Sequence, residues 1–351
     1  MSVFYLIIVL LTIIGLKFPP PSISHSVSID CTNSIKGLFI LVVFSRHIWP
    51  YMGEMISELS FLDRVFITID TMIRQLLVAM FLFYSGYGVT KSIADKGNAY
   101  LHTIPSRRIF ITIVNFAVAV GIFILLDFTL GIPVTTRQAL LSFIGWDSVG
   151  NSNWYIFCIV CCYAFTYLSF RIARTPLSAL IALGIMCTGY IVVISQYKGS
   201  WWYDTIGCYW AGSCFALCLP RIKDTLERNY YWILLSAALL FIVFYNCHWK
   251  YNGYVSNITA ILFSAIILML TMCIKIDNAP LRWLGRNLFP LYIYQRIPML
   301  LFATIGEGWL IAHHAWLYVT LSLAITIGIT LFYPRIAVTT DTLRQLRLSK
   351  A

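Results

Sequence analysis

The chain has 351 residues, 60% of them hydrophobic and only 11% charged, with a mean hydropathy of +0.80. Soluble domains run about 45–50% apolar and about 25% charged, so this composition excludes a soluble globular protein and indicates a polytopic α-helical membrane protein. The formal charge of +11 does not point to nucleic acid, because the basic residues are scattered through short loops between apolar segments, where they report topology.

Val3–Leu16 is the first apolar stretch, closed by Lys17 and the prolines from 19 to 21. No positive residue precedes it and no small-x-small cleavage site follows, so a short first spanning helix is expected rather than a signal peptide. Ser22–Asn33 is a polar connector. Ser34–Met52, SIKGLFILVVFSRHIWPYM, is an apolar helix interrupted by Lys36, Arg46 and His47, with Pro50 ending or kinking it. Lys36 and His47 share one helix face, about three turns and roughly 16 Å apart. With Lys36 at one edge of a hydrocarbon layer ~30 Å thick, His47 falls near its middle. Ionisable groups at that depth face a protein interior or a water-filled cavity. A lone histidine there reads equally well as an interhelical hydrogen bond; the adjacent Arg46 favours chemistry.

Gly53–Asp70 reads as an acidic loop, with Glu54, Glu58, Asp63 and Asp70 against Arg64. Spans are then expected at Thr71–Thr90, Ile109–Gly131, Trp154–Phe170, Leu177–Ser195, Tyr203–Leu219, Tyr231–Cys247, Ser256–Ile274, Asn287–Ile305 and Trp316–Tyr333, eleven in all. Of the 25 lysines and arginines, seventeen fall in one set of alternate loops and the C-terminal tail, and five in the opposite set. That asymmetry predicts a cytoplasmic C-terminus, Lys36 at the cytoplasmic edge, and the Glu54–Asp70 loop and the N-terminus outside. The ten cysteines lie largely inside apolar segments and read as small hydrophobes; Cys158 and Cys161 have C-x-x-C spacing, but no nearby histidine or carboxylate completes a metal site.

Polar residues within or beside the spans mark four clusters. The first is Lys36, Arg46 and His47. The second is Ser85-Gly86, with Arg74 towards the outer end of the same span; close helix packing and a functional serine are equally good readings. The third is Asn153-Trp154-Tyr155 beside Asp147, where the aromatics read first as interfacial anchors. The fourth is Gln295-Arg296, bracketed by Pro290 and Pro298 and ~12–14 Å in from Asn287, close to the depth of His47. Gln295 alone suits an interhelical hydrogen bond, whereas Arg296 suits a cavity wall. Arg107 and Arg108 open a helix and read first as positive-inside anchors, second as a phosphate site. No phosphate-binding loop, dinucleotide fingerprint or hydrolase elbow appears.

In this order, the stretches resemble the acyltransferase 3 family of membrane acyltransferases. IKGLFILVVFSRH supplies the family's basic residue, ten residues, then histidine, as Lys36 and His47, with lysine where arginine is usual. FLFYSG at Phe81–Gly86 matches its aromatic-rich F-x-x-x-S-G helix, SRRIF at Ser106–Phe110 its basic segment, and Asn153-Trp154-Tyr155 the start of a middle helix. LGRNLFPLYIYQR, Leu284–Arg296, resembles a late Gly…Tyr-x-x-His pattern, with Gln295 where histidine is common.

The resemblance implies a ten-helix core preceded by an extra N-terminal helix. It divides the chain into residues 1–29 (helix and connector), 30–335 (membrane domain) and 336–351 (cytoplasmic tail). It also implies transfer of an acyl group, usually acetyl, from cytoplasmic acyl-coenzyme A to a hydroxyl of a cell-surface polysaccharide or lipid-linked sugar, in a bacterial cytoplasmic membrane. His47 and Arg46 are then the expected catalytic residues. Lys36, Ser85, Arg107, Arg108, Trp154, Gln295 and Arg296 are the expected substrate and coenzyme A contacts. The partners are acyl-CoA, the glycan and membrane lipids, with no metal, no permanently bound cofactor and no nucleic acid. A transporter of glycans or lipid-linked sugars could use the same basic residues, but no internal repeat of the Lys36–His47 segment is evident. A polysaccharide polymerase would need a longer polar outer loop than any found here.

Overall fold

The computed structural model describes residues 2–52, 60–73, 75–248 and 253–339. In chain order it contains α1 (Ser2–Ile13), β1 (Leu16–Lys17), α2 (Ile23–Ser26), α3 (Ile29–Met52), α4 (Phe61–Ile73), α5 (Leu76–Lys96), α6 (Asn98–Leu101), a π-helical turn (Pro105–Phe110) and α7 (Ile111–Thr129). There follow α8 (Thr136–Phe143), α9 (Trp154–Ile172), α10 (Pro176–Ile194), α11 (Gly207–Arg228), α12 (Tyr230–His248) and α13 (Tyr254–Cys273). The last are β2 (Lys275–Ile276), α14 (Ala279–Arg286), α15 (Leu288–Tyr294), α16 (Arg296–Thr304) and α17 (Trp309–Ile336). This is an all-α membrane protein.

Seven described helices are long and apolar enough to cross a bilayer. The other four of the eleven expected segments each depart from a simple span. α1 has 12 residues, about 18 Å of helix. α3 and α11 are long enough but carry charged residues. The segment expected at Asn287–Ile305 is broken between α15 and α16 at Gln295. The stretch expected as a loop up to Asp70 is instead helical from Phe61, with Phe61, Leu62, Val65 and Ile69 exposed and Asp70 buried. Pro50 does not stop α3, which continues to Met52. Glu54, Glu58, Arg74, Lys250 and the tail from residue 340 lie outside the described residues.

α5 sits at the centre. Its residues from Leu76 to Tyr84 are buried without interruption, as expected of a helix hydrophobic all round. Two close backbone contacts fix the frame. A Cβ at Gly86 would meet the Tyr209 carbonyl of α11, and one at Gly212 would meet the Phe83 carbonyl of α5. Likewise Gly37 of α3 lies against Leu281 O of α14, and Gly285 against Asn33 O. Only glycine permits helices to approach this closely, the small-residue packing that membrane helices rely on. On the periphery, α12 exposes Tyr231, Trp232, Leu235, Leu239, Ile242 and Val243, the apolar face a helix shows to lipid. Cys158, Cys162 and Cys208 are buried packing residues, whereas Cys218 is exposed.

Contacts between distant segments tie the connections together in two groups. In one, β1 pairs antiparallel with β2, Lys17 and Arg282 bond Asp277 at 3.0 and 2.6 Å, and Arg286 meets Asp30 at 3.3 Å. In the other, Tyr245 donates to Met72 O at 2.9 Å and Lys198 to Trp146 O at 2.6 Å.

Candidate active site

α3 carries the centre of the site. His47 is half-buried, and its Nδ1 lies 2.9 Å from Gln295 Nε2 and 3.5 Å from Ser152 Oγ. The Tyr292 ring stands 5.8 Å from the imidazole, tilted by 56°. The helix break between α15 and α16 puts Gln295 there: the residue is buried, and its Nε2 also donates to Tyr292 O at 3.1 Å. That second bond fixes the amide orientation, because the reverse would set two carbonyl oxygens face to face. Gln295 therefore donates to His47 Nδ1, and the neutral imidazole holds its proton on Nε2. No described residue bonds Nε2.

The arginines differ in their commitments. Arg46 Nη1 is ion-paired with Asp70 Oδ2 at 2.8 Å, and its side chain remains 43% exposed. Arg296 makes one long contact, 3.5 Å to Gly150 O, and its buried Nε has no partner. Both positive charges act on His47. The loop before α9 is shaped by its own polar side chains. Asn153 donates to Gly145 O and Asp147 O at 3.0 and 2.9 Å, and Asn151 accepts from Val149 N at 3.0 Å. Gly150, at φ +81°, turns the chain and places Ser152 beside His47.

His47 and Arg46 open onto a cavity of about 490 Å³. Trp154, Trp201, Asp204, Tyr245 and Ser256 line it with them. Trp154 is thus a cavity wall rather than only an interfacial anchor. Asp204 lies in the loop between α10 and α11, where burial pushes its carboxyl up to about 6 against the opposing effect of Ser200.

The remaining expected residues form a second group towards the Lys17–Asp277 end. Lys36 is half-buried and within electrostatic reach of Arg108, whose Nε donates to Tyr100 OH at 3.3 Å. Arg107 is exposed beside it in the π-helical turn, an element often found at functional sites. Ser85 lies beside the side chains of Tyr155 and Tyr163, and Tyr163 is electrostatically coupled to Arg108. Tyr155 packs edge-on to Tyr292 at 5.4 Å. A line of hydroxyl-bearing side chains therefore connects Arg108, through Tyr163, Ser85, Tyr155 and Tyr292, to His47.

Reading the sequence missed four members. Asp70 looked like an outer-loop charge, Ser152 and Asp204 sit in unremarkable loops, and Tyr292 looked like one more aromatic in an apolar run. The only local signal is at Asp204, which follows Trp201-Trp202-Tyr203.

A basic residue and a histidine on one membrane helix, an amide bonded to the histidine's Nδ1, and a cavity beside them make an arrangement able to move a proton and stabilise negative charge inside a membrane. Neither the curated proteins nor the solved structures include a match to the chain. The model of the acyltransferase 3 family, described as an acyltransferase domain, matches residues 29–333, from the start of α3 to near the end of α17. The chain belongs to that family and is a membrane acyltransferase.

Proposed function

We propose that the protein transfers an acetyl group from acetyl-CoA, bound from the cytoplasm, to a hydroxyl of a cell-surface polysaccharide or its lipid-linked precursor. It does so in a bacterial cytoplasmic membrane, with its C-terminus cytoplasmic. The observation that carries this reading is His47 standing between two groups of polar residues. One is the cationic end with Lys36, Arg107 and Arg108; the other is the cavity with Arg46 and Trp154. Cations at the first suit the phosphates of coenzyme A. The tyrosine line suits the polar, hydrogen-bonding arm that ends in the thioester, with Ser85 as one of its contacts.

The reaction is displacement at a thioester. The acceptor oxygen bonds to the carbonyl carbon while His47 takes its proton. The tetrahedral oxyanion is stabilised by the positive charge of Arg296 or Arg46. The C–S bond then breaks, and the departing thiolate takes the proton from His47, leaving the ester and free coenzyme A. Taking the proton requires a lone pair on Nε2, hence a proton on Nδ1. Gln295 meets this need by turning its amide so that Oε1 accepts from Nδ1–H. The turn gives up the bond to Tyr292 O and leaves that buried carbonyl facing Oε1, a cost of about 1–3 kcal/mol. A positioned base contributes ~10²–10⁴-fold in rate, as much as or more than the turn costs.

His47→Gln tests this reading. Glutamine keeps a partner for Gln295 while removing the titrating group, so abundance and coenzyme A binding should persist while acetyl transfer falls by at least ~100-fold. Near-normal transfer by His47→Gln, or no consumption of acetyl-CoA by wild type with a glycan acceptor, would overturn it.

A further inference from the structure

One carboxylate in the cavity, Asp204, interacts only locally, with Ser200 of its own loop. Asp204 Oδ1 is buried without a hydrogen-bond partner. Its loop is fastened by other groups: Asn257 accepts from Gly207 N at 2.7 Å and donates to Tyr203 O at 2.8 Å, and Tyr190 donates to Trp202 O at 3.1 Å. A carboxylate oxygen desolvated without a partner destabilises a fold, so Oδ1 is expected to serve a ligand. Ser256 Oγ, also on the cavity wall, is likewise buried and unpartnered.

The surroundings define the ligand's chemistry. A carboxylate only accepts hydrogen bonds, so the partner must present donors. Trp201 and Trp154 offer flat faces to the apolar side of a sugar ring. The one arginine on the described wall, Arg46, is already paired with Asp70, which leaves the charge of Asp204 uncompensated among the described lining residues. An acidic sugar would be repelled.

Building on the acyltransferase reading above, we propose that Asp204 is the acceptor-specificity residue. It takes hydrogen bonds from ring hydroxyls of a neutral saccharide seated against Trp201 and Trp154, and it excludes saccharides bearing a carboxylate. The hydroxyl that reacts is a different one, directed to His47.

The test uses the purified full chain and reads binding, so it does not depend on transfer. Probes are a panel of neutral methyl hexosides and the matching methyl uronosides, followed by quenching of tryptophan fluorescence. Wild type should bind neutral hexosides and discriminate against the uronosides. Asp204→Asn should weaken the hexosides by roughly 10–100-fold, the range of a hydrogen bond to a charged group, and narrow the gap to the uronosides. A stability readout guards against misfolding. A carboxyl raised from 3.8 to about 6 holds its proton more tightly in the folded state, so stability falls as pH rises through that window. Asp204→Asn should therefore melt higher than wild type at pH 7, and the difference should vanish near pH 4. Equal hexoside binding by both proteins, or a wild-type preference for uronosides, overturns the proposal. Hexoside binding that depends on Asp204 in a protein that transfers no acetyl would instead count against the reaction alone.

Discussion

The Gln295 amide offers the most direct way to learn which nitrogen of His47 does the work. As it stands, one amide nitrogen serves both His47 Nδ1, at 2.9 Å, and Tyr292 O, at 3.1 Å. The base-competent arrangement requires the oxygen instead, and leaves the buried Tyr292 carbonyl unsatisfied at a cost of about 1–3 kcal/mol, or about five- to a hundredfold in population. Gln295→Glu has only acceptor oxygens towards Nδ1 and holds the proton there permanently. The positive charges of Arg296 and of the forming imidazolium compensate the carboxylate. Its kcat/KM should equal or exceed wild type, by up to about a hundredfold if the full cost of the turn is recovered. Gln295→Leu removes both roles and leaves a buried ring nitrogen and a buried carbonyl unsatisfied, about 1–3 kcal/mol, so transfer should fall about five- to a hundredfold. The assay is single-turnover acetyl transfer by purified protein, with coenzyme A binding and thermal melting as controls. If the glutamate variant is as poor as the leucine variant, while both bind coenzyme A and melt normally, the reasoning fails. His47 would then act through its Nε2–H as a donor, and the resting tautomer would be the working one.

Three further outcomes follow from the packing and charge. Lys36→Ala combined with Arg108→Ala should raise the KM for acetyl-CoA by on the order of 10–100-fold, while Lys36→Arg keeps it near wild type; steady-state kinetics decides. Gly86→Ala should lower the melting temperature, by about 1–3 kcal/mol of strain, because its new methyl meets the Tyr209 carbonyl. Gly88→Ala, two residues along and facing open space, should be neutral or stabilising. The bonds from Lys17 and Arg282 hold the Asp277 carboxyl below its ordinary value, so their contribution is present above about pH 4 and is lost as pH falls through the lowered value. The melting advantage of wild type over Asp277→Asn should accordingly close on acidification, and a gap constant from pH 7 to pH 3 would refute the linkage.

Most of the architecture was legible because a bilayer allows few solutions: long apolar runs must be helices, and basic loops separate into two sets. What escaped was amphipathic or interrupted. α4 was read as a loop because its charges, Asp63, Arg64 and Asp70, outweigh its apolar stripe in a linear reading. The break at Gln295 was hinted at by Pro290 and Pro298 but not located by them. Lys36 and His47 declared themselves by a spacing within one helix. Ser152 and Asp70 could not, because each meets α3 only after the chain has folded back, 105 and 24 residues away respectively.

Sequence shows which residues carry charge, but the site depends on which charges are already paired. Arg46 and Asp204 face the same cavity, and from the sequence alone the arginine is the more conspicuous. In the fold, Asp70 occupies Arg46, whereas Asp204 has no partner for Oδ1 and Arg296 none for Nε. A buried ionised group without a partner is kept against its own destabilising effect only if a ligand or a transition state completes it. On that criterion Arg296 is the better candidate than Arg46 for the oxyanion. Arg46→Lys, which retains a cation for Asp70, should then retain most transfer activity, while Arg296→Lys, which loses the planar fork, should lose it. Equal losses in both variants, at equal abundance, would return the oxyanion to the Arg46–Asp70 pair.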